Sequence, residues 1–467
     1  MLKKSNQYFF PFVLFLAILI SSTIHAQDIL GTWQGRLKFM GQDMRIVFHF
    51  SRDSAGALVA VTDSPDQGVK GTKKDEADFS GDSLSISVSE YDSEYSGVYN
   101  KDSAAFYGHL KQFGFKMQLK LIKGDADDLL FHRPQKPVKP YPYLEEEVTV
   151  QNKKSELTLA GTFTKPVGKG TFPAVILITG SGPEDRDETV FAHKPFLVLS
   201  DYLTRKGFAV LRCDDRGTGK STGTFSTATP DDFAADVEAQ LDYLKTRTDV
   251  DIKKIGLIGH SEGGGIAPMV AAKRNDVAFI VLLAGPGIDM FELLLAQDSL
   301  ILAAEGSSQA TISESINTNK KLFELLKEAK DSSDAADKIN NYLSSKKAKD
   351  KAILKAIRQL CNPWMHWYIG FDPRANLAKL KCPVLALNGE KDVQVPAFIN
   401  IASIEQTLKQ SGNKNFKTEI LPGLNHLFQK CKKCSVTEYV SIDETMNPLA
   451  LSAIGDWMEV NFLGKKK

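Results

Sequence analysis

The longest run of apolar residues lies near the start of the chain, from Tyr8 to Ile20, and two lysines, Lys3 and Lys4, precede it. A basic start, a short apolar run and a small residue at Ala26 are typical of a secretory signal peptide. A membrane-spanning helix needs about 20 apolar residues, more than this run offers. The pattern therefore predicts a signal peptide over residues 1–26, removal of that segment, and a periplasmic or secreted protein without a stable membrane anchor.

Short apolar runs separated by Gly, Asp, Ser and Asn turns follow, up to residue 133. Such regular spacing is typical of a small antiparallel β-barrel or sandwich, and we predict an N-terminal β-domain over residues 27–133. Its opening, Gly31 to Gly35, resembles the start of lipocalin-like barrels, and we expect Trp33 to be a core residue. The clearest runs are Met44 to Phe50, Ala57 to Val61, Leu84 to Val88 and Phe115 to Leu121.

Four prolines lie between residues 134 and 144, which indicates an extended, semi-rigid linker. Beyond it, over residues 145–467, short and almost continuous apolar runs alternate with helical patterns. Strands that are apolar on both faces predict a parallel sheet covered by helices, an α/β fold. The runs are Ala174 to Thr179, Ala209 to Arg212, Ile255 to Ile258, Phe279 to Leu283 and Val384 to Asn388.

The alternation is interrupted between about residues 288 and 371. This insert is rich in Ala, Lys, Leu and Glu, which favours helices, and it ends in the aromatic stretch Trp364 to Tyr368. Solvated helices with a packed aromatic corner would give the same pattern. Because of its place relative to the candidate catalytic residues, we interpret the insert as a helical lid.

The sequence Gly259-His260-Ser261-Glu262-Gly263 follows an apolar strand and precedes a helical pattern. It has the G-x-S-x-G spacing of a nucleophile elbow, in the strand–turn–helix context that such a turn requires. The flanking glycines are needed because a Cβ there would collide with the tight turn. We therefore predict that Ser261 is the nucleophile of a hydrolase.

A serine nucleophile needs a base, and the base needs a group that orients it. In this type of site the acid and the histidine follow the serine in the chain. Asp392 lies in the loop after the strand that starts at Val384, and we prefer it to Glu390 in the same loop. His426 lies in the loop after a strand that ends at Leu421. The other histidines of the mature chain lack that context: His49, His109, His132, His193, His260 and His366.

The tetrahedral oxyanion needs two converging backbone amides. One is expected from Glu262, which follows the nucleophile. The other is expected from Ser181, in the loop Gly180-Ser181-Gly182-Pro183 after the strand Ala174 to Thr179.

Together these residues resemble the α/β-hydrolase superfamily over about residues 145–467. The stretch Gly180 to Glu188, with Gly-His-Ser-Glu-Gly-Gly at 259–264, resembles bacterial carboxylesterases that are described as serine-aminopeptidase-like hydrolases and can carry an N-terminal β-domain. The resemblance implies that Asp215 and Arg216, in a D-x-R-G-x-G-x-S loop, are structural. The usual His-Gly before the oxyanion donor is Thr179-Gly180 here.

Charge excludes some functions. The chain has 58 basic and 57 acidic residues, which lacks the basic surplus of a nucleic-acid-binding domain. No phosphate-binding loop, dinucleotide fingerprint or metal-ligand spacing is evident, so we expect no metal and no other cofactor. The partner expected is a small-molecule ester substrate; the sequence leaves the oligomeric state open.

The five cysteines are Cys213, Cys361, Cys382, Cys431 and Cys434. An odd number leaves at least one free thiol or an intermolecular bridge. The C-x-x-C pair at 431 and 434 is compatible with a local disulfide or with two thiols, and less so with zinc binding or redox catalysis.

The sequence thus predicts an exported serine hydrolase that cleaves short-to-medium carboxylic esters through Ser261, His426 and Asp392. The alternative is a peptidase acting on short peptides, which would use Glu262, Glu184 or Asp185 to bind a substrate amine unless these pair with Arg186 or Arg216. An inactive hydrolase domain serving a ligand-binding β-domain is a third interpretation.

Overall fold

The computed structural model describes residues 29–39, 42–64, 75–88, 93–112, 115–124, 133–345 and 360–464. The predicted signal peptide, residues 1–26, lies outside this part of the chain. The chain divides into two compact units, Met1–Leu130 and Phe131–Lys467. No helix among the described residues is long and apolar enough to cross a membrane.

The first unit is a closed antiparallel barrel of eight strands in chain order. It closes where the first strand pairs with the eighth, with Trp33 opposite Lys123 and Gln34 opposite Ile122. The expected small antiparallel domain is confirmed, and it is a barrel rather than a sandwich. Its strands are β1 (Gly31–Phe39), β2 (Gln42–Arg52), β3 (Leu58–Asp63), β4 (Asp75–Ser80), β5 (Ser83–Val88), β6 (Ser93–Asn100), β7 (Ala105–Gln112) and β8 (Phe115–Lys123).

Aromatic side chains fill the barrel interior. Buried and exposed residues alternate strictly along β6, as the two-residue repeat of a strand requires. Trp33 is fully buried, its ring centre lies 4.8 Å from that of Phe106, and its Nε1 donates to the Ile29 carbonyl at 2.8 Å. Phe48 and Tyr95 are also fully buried. Trp33 is therefore a core residue.

The first part of the proline-rich segment is docked on the second unit. Gln135 donates to the Met446 carbonyl at 2.6 Å and accepts from the amides of Thr445 and Met446. The Arg133 guanidinium donates to the carbonyls of Phe191, Val440 and Ile442. These side chains satisfy backbone groups of the hydrolase unit, so this part of the segment is held in place.

The second unit contains an eight-stranded sheet in the order β16-β15-β14-β13-β11-β12-β10-β9. The six strands from β11 onward are mutually parallel, whereas β9 and β10 form an antiparallel hairpin at one edge. Every residue of β12, β14 and β15 is buried, as predicted for strands covered on both faces. The strands are β9 (Tyr143–Asn152), β10 (Leu157–Pro166), β11 (Phe172–Ile178), β12 (Ala209–Cys213), β13 (Val250–His260), β14 (Phe279–Leu283), β15 (Val384–Gly389) and β16 (Phe416–Leu421).

Helices cover both faces of this sheet and bury two separate apolar clusters against it. This arrangement confirms the predicted α/β class. The helices are α1 (Pro195–Lys206), α2 (Pro230–Thr246), α3 (Glu262–Lys273), α4 (Met290–Ala304), α5 (Gln309–Glu328), α6 (Ser332–Ser345), α7 (Pro363–Tyr368), α8 (Arg374–Leu377), α9 (Ala397–Gln410) and α10 (Pro448–Met458).

Helices α4 to α7 belong to the insert and have a core of their own. Leu322, Leu326, Ile339 and Ile369 are almost completely buried in it, beside Met365 of α7. This core is separate from the two clusters on the sheet, so the insert packs as a distinct helical layer.

Candidate active site

Ser261 lies in a sharp turn between β13 and α3. Its backbone has φ +52° and ψ −116°, a left-handed conformation that is strained for a residue with a Cβ. The Ser261 amide donates to the Leu283 carbonyl at 2.9 Å, and its carbonyl accepts from the Gly264 amide at 2.9 Å. Neighbouring backbone therefore holds this turn on both sides, as a nucleophile elbow requires.

The glycines around Ser261 allow this close approach. A Cβ on Gly259 would lie 2.0 Å from the Gly263 carbonyl oxygen, and one on Gly263 would lie 2.2 Å from the Ile178 carbonyl oxygen. A Cβ on Gly264 would lie 2.6 Å from the Cα of Gly285. Backbone atoms cannot yield as a flexible side chain does, so these positions exclude any larger residue.

Asp392 and His426 form a buried carboxylate–imidazole pair. His426 Nδ1 lies 2.8 Å from Asp392 Oδ2, and both side chains are at most 5% exposed. Asp392 Oδ1 accepts from the amides of Gln394 and Val395, each at 2.8 Å. The carboxylate is thus fixed by its own loop and presents its second oxygen to the imidazole.

Glu390, the competing acid, has a different role in the structure. Its Oε2 accepts from the Gly423 amide at 2.9 Å, and its Oε1 lies 3.2 Å from Lys391 Nζ. These contacts lower the pKa of the Glu390 carboxyl, the Gly423 amide most. Glu390 therefore links its own loop, after β15, to the loop after β16. Asp392 is the acid that contacts His426.

A cavity of about 390 Å³ lies at this edge of the sheet and brings together Ser181, Ser261 and His426. The insert contributes a large part of its wall, mostly with apolar side chains. These lid residues are Met290, Leu293, Leu294 and Gln297 of α4 and Trp364, Met365 and Tyr368 of α7.

The loop after β11 carries the expected oxyanion donor. The Gly180 amide donates to Glu188 Oε1 at 3.0 Å and is therefore already used. The next residue, Ser181, is exposed to the cavity. Glu262, the other expected donor, is the first residue of α3, where amides lack partners within the helix.

Several carboxyl groups lie close to the cavity, and burial changes their ionisation. Burial, followed by the charge of Glu188, raises the pKa of Glu184 to about 10. Burial also raises the pKa values of Asp215 and Glu262 to about 7. One oxygen of Glu184, Oε2, is buried without a hydrogen-bond partner among the described residues. Removing a charged carboxylate from water without a compensating partner is costly, which is why burial raises the pKa of Glu184.

The arginines nearby do not neutralise Glu184 or Glu262. Arg186 forms a bidentate salt bridge with Asp214, in which Nε lies 2.9 Å from Oδ1 and Nη2 lies 2.8 Å from Oδ2. Arg216 forms the same kind of pair with Asp236, at 2.7 and 2.9 Å. Both arginines therefore brace loops, as the resemblance implied for Arg216.

Glu262 connects the elbow to the lid. Its Oε1 accepts from Trp364 Nε1 at 2.7 Å, and the side chain is 3% exposed. Trp364 in turn stacks on Tyr368, with ring centres 4.5 Å apart. The carboxyl next to Ser261 thus holds the aromatic end of the insert at the cavity, where Trp364 and Tyr368 form part of the lining.

Sequence reasoning overlooked a second buried pair, Glu188 and His260. His260 Nδ1 lies 2.8 Å from Glu188 Oε1, and its Nε2 lies 3.0 Å from the His426 carbonyl oxygen. The only local signal was the position of His260 immediately before the nucleophile.

The structure also shows the state of the cysteines and the surroundings of His193. Cys431 and Cys434 form a disulfide, and Cys213, Cys361 and Cys382 are free. His193 is buried against Thr445 and the Tyr439 carbonyl, and its own side chain does not line the cavity. No cluster of three or more metal-ligating side chains occurs among the described residues.

The pKa of Glu262 generates a prediction about stability. Since this pKa is about 7 in the folded protein and lower in the unfolded chain, the folded state binds the extra proton and loses stability as pH rises from about 4.5 to 7. Glu262→Gln removes that loss. Between pH 5 and pH 8 the variant should gain about 2–3 kcal/mol of unfolding free energy relative to wild type, measured by urea titration.

The matched control is Glu328→Gln, on an exposed position of α5. It should leave the difference between the two pH values unchanged. A Glu262→Gln protein whose stability follows wild type at both pH values contradicts the raised pKa.

Comparison with known proteins shows which family the chain resembles. A family model described as "Serine aminopeptidase, S33" matches residues 195–430, about half of the chain. The protein is 27% identical over 325 residues to "Esterase EstD" of Thermotoga maritima, which covers 69% of each chain. It is 35% identical over 112 residues to a "Bifunctional esterase/perhydrolase DCH" of Acinetobacter calcoaceticus, 22% of this chain and 38% of that one.

The solved structures that the chain matches include an esterase of Pyrococcus furiosus, Pf2001. It shows 15% identity and a TM-score of 0.43, covering 71% of this chain and 98% of that one. Another is Est1E from Butyrivibrio proteoclasticus with ferulic acid bound, with 16% identity and a TM-score of 0.41, covering 68% and 100%.

The names of both sequence relatives agree with the predicted enzyme class, a carboxylesterase-type hydrolase. The family model spans the nucleophile elbow and the loops of Asp392 and His426. The chain therefore belongs to the family of serine-aminopeptidase-like hydrolases, and its predicted membership of the α/β-hydrolase superfamily is confirmed.

Proposed function

We propose that the protein is an exported carboxylesterase that hydrolyses small-molecule esters through an acyl-enzyme on Ser261. The observation that carries the proposal is the buried Asp392–His426 pair, at 2.8 Å, lining one cavity with a serine held in a strained elbow. Backbone strain is typical of residues held in place for function, and a nucleophilic serine needs a base that a third group orients.

In the first step the Ser261 hydroxyl attacks the ester carbonyl while His426 accepts its proton. The Asp392 carboxylate accepts a hydrogen bond from His426 Nδ1, which keeps the proton of the neutral ring on that nitrogen. The lone pair of His426 Nε2 is then free to act as the base. The Asp392 carboxylate then stabilises the imidazolium. His426 returns the proton to the departing alcohol, and a bound acyl group remains on Ser261.

In the second step water, activated by His426, releases the acid. Both steps pass through a tetrahedral oxyanion, for which we assign the amides of Ser181 and Glu262 as donors. Ser181 borders the cavity and Glu262 begins α3, whose N-terminal end carries partial positive charge. Donors of this kind contribute about 100- to 1,000-fold each to kcat.

The acyl group would occupy the side of the cavity formed by the lid. Met290, Leu293 and Leu294 of α4 are apolar, whereas Glu184 and Glu188, which also line the cavity, come from the loop after β11. A volume of about 390 Å³ suits a small ligand, within the usual range for such pockets. This supports short-to-medium acyl esters as the substrate class.

We expect Asp392→Asn to lower kcat about 1,000- to 10,000-fold. The amide cannot accept from Nδ1 in the same way, so the imidazole loses its orientation and its stabilised charge. Glu390→Gln, two residues away in the same loop, is the matched control and should keep kcat within about twofold. Steady-state hydrolysis of nitrophenyl acetate and butyrate measures both; equal losses in the two variants, or none in either, contradict the assignment.

A peptidase that binds a substrate amine is the second candidate. It is favoured by one observation, the buried carboxyl oxygen of Glu184 that has no partner among the described residues. A neutral acid with a pKa of about 10 must first ionise, however, which weakens its attraction for an ammonium group. The esterase therefore remains the primary proposal.

Kinetics on matched pairs separate the two activities. We expect kcat/KM for nitrophenyl butyrate to exceed that for alanine nitroanilide by about 100-fold or more, because anilides lack the activated ester bond. Glu184→Gln should leave the ester rate within about threefold. A higher rate on the anilide, lost in Glu184→Gln, would establish the peptidase instead.

Export is proposed from the sequence pattern of residues 1–26. Expression of the full chain in a bacterium with an outer membrane should give a product outside the cytoplasm that begins at Gln27. N-terminal sequencing of the fractionated protein tests this, and an unprocessed cytoplasmic product contradicts it.

A further inference from the structure

The pair of Glu188 and His260 joins three parts of the active site that come from distant stretches of the chain. Glu188 belongs to the loop after β11, His260 ends β13, and His426 follows β16. Glu188 Oε1 accepts from the Gly180 amide at 3.0 Å, and the same oxygen lies 2.8 Å from His260 Nδ1. The oxyanion loop, the elbow and the loop of the catalytic histidine are therefore linked by one continuous set of hydrogen bonds.

Both ring nitrogens of His260 face acceptors. Nδ1 faces a carboxylate oxygen, and Nε2 faces the His426 carbonyl oxygen at 3.0 Å, which has no hydrogen to donate. Beside an ionised Glu188, a neutral imidazole can satisfy only one of these contacts, because it has one N–H and its other nitrogen presents a lone pair. With Glu188 ionised, two good contacts therefore require the doubly protonated ring.

We propose that His260 is a buried imidazolium which, paired with Glu188, positions the Gly180–Ser181 loop and the His426 backbone for catalysis. The inference rests on the proposed function for its catalytic consequence, although the protonation of the ring stands apart from it. Glu188 and His260 are positioning residues: they act through the Gly180 amide and the His426 carbonyl.

The charges around His260 favour the cation. Its ring is 7% exposed, and Glu188 is 3% exposed. Titratable groups facing it from the neighbouring elements are Glu188, Asp392 and His426, with Glu184 and Glu262 further round the cavity. Burial opposes the charged ring, but the Glu188 charge and hydrogen bond outweigh it and the pKa of His260 is raised.

The backbone conformation at Glu188, in the loop after β11, directs its carboxylate toward His260. Glu188 has φ +54°, a left-handed conformation that a glutamate rarely adopts. Its amide donates to the Asp185 carbonyl at 2.9 Å, which stabilises the bend. Such strain at a buried charged residue is typical of positions held in place for function.

The first test measures the protonation state of the His260 ring directly and does not depend on enzyme activity. In nitrogen-15 spectra of histidine-labelled protein at pH 7.5, His260, identified by its absence in His260→Gln, should show both ring nitrogens protonated. His193 provides the internal reference, since burial lowers its pKa to about 4 and its ring is neutral at that pH. A His260 signal with one protonated nitrogen, like that of His193, overturns the proposal.

The second test separates positioning from packing. Glu188→Gln keeps the size of the side chain and an oxygen for the Gly180 amide but removes the charge that holds the His260 proton. We expect kcat to fall about tenfold or more with KM within about twofold. Without the Glu188 charge, His260 should lose its proton at lower pH. The pH at which kcat declines on the alkaline side of its pH profile should therefore be lower by about one unit.

The control is His193→Gln, which removes another buried histidine with two hydrogen bonds and whose own side chain is not among those that line the cavity. It should lower stability without moving the basic side of the kcat profile. If Ser261→Ala abolishes activity while Glu188→Gln keeps the wild-type kcat and profile, the positioning role is wrong and the esterase proposal stands. If Ser261→Ala stays active, the esterase proposal fails, and the nitrogen spectra still decide the state of His260.

Discussion

The hydrolase domain depends on the backbone crowding around Ser261. The turn from β13 into α3 is tight enough for a Cβ on Gly259 to meet the Gly263 carbonyl oxygen at 2.0 Å. Both neighbouring strands take part, because Gly263 packs on the end of β11 and the Ser261 amide donates to the end of β14. The same strand ends begin the loops of the active site. The turn at Ser261 is therefore packed and hydrogen-bonded against the strand ends from which the loop after β11 and the helical insert begin.

Buried carboxyl groups are the second organising feature of this edge of the sheet. Asp392 receives two amides and an imidazole, and Asp215 receives the Thr179 hydroxyl and the Glu184 amide. Glu262 receives an indole N–H from the lid. Each hydrogen bond offsets part of the cost of removing the acid from water. Glu184, one oxygen of which has no partner among the described residues, is the acid whose pKa burial raises most strongly, to about 10.

How far sequence alone predicts this structure depends on how local each feature is. The elbow and its glycines lie within six residues, and the fold class follows from apolar runs that the structure contains as strands. Closure of the first unit into a barrel could not be predicted, because it depends on a pairing between β1 and β8. Glu188 escaped notice because its partner His260 is 72 residues away and its left-handed backbone has no sequence signature. The hydrogen bond from Gln135 to the Met446 carbonyl joins residues that are 311 positions apart, and no local sequence pattern predicts it either.

The lid illustrates the same limit. Helical propensity predicts the insert, yet the contact that gives it a role, Trp364 on Glu262, joins residues 102 apart. It places an indole against the residue beside the nucleophile, so the lid and the elbow share one hydrogen bond. The insert thus takes part in shaping the cavity rather than merely covering it.

Covalent labelling of the nucleophile tests the central claim most directly. A fluorophosphonate reacts with a serine only when a neighbouring base activates it. After incubation with the mature protein and proteolysis, mass spectrometry should find one adduct per chain, on the peptide that contains Ser261, and none on the Ser261→Ala protein. An unlabelled Ser261 in a folded protein that still hydrolyses esters, or an adduct on another serine that accounts for the activity, would contradict the account.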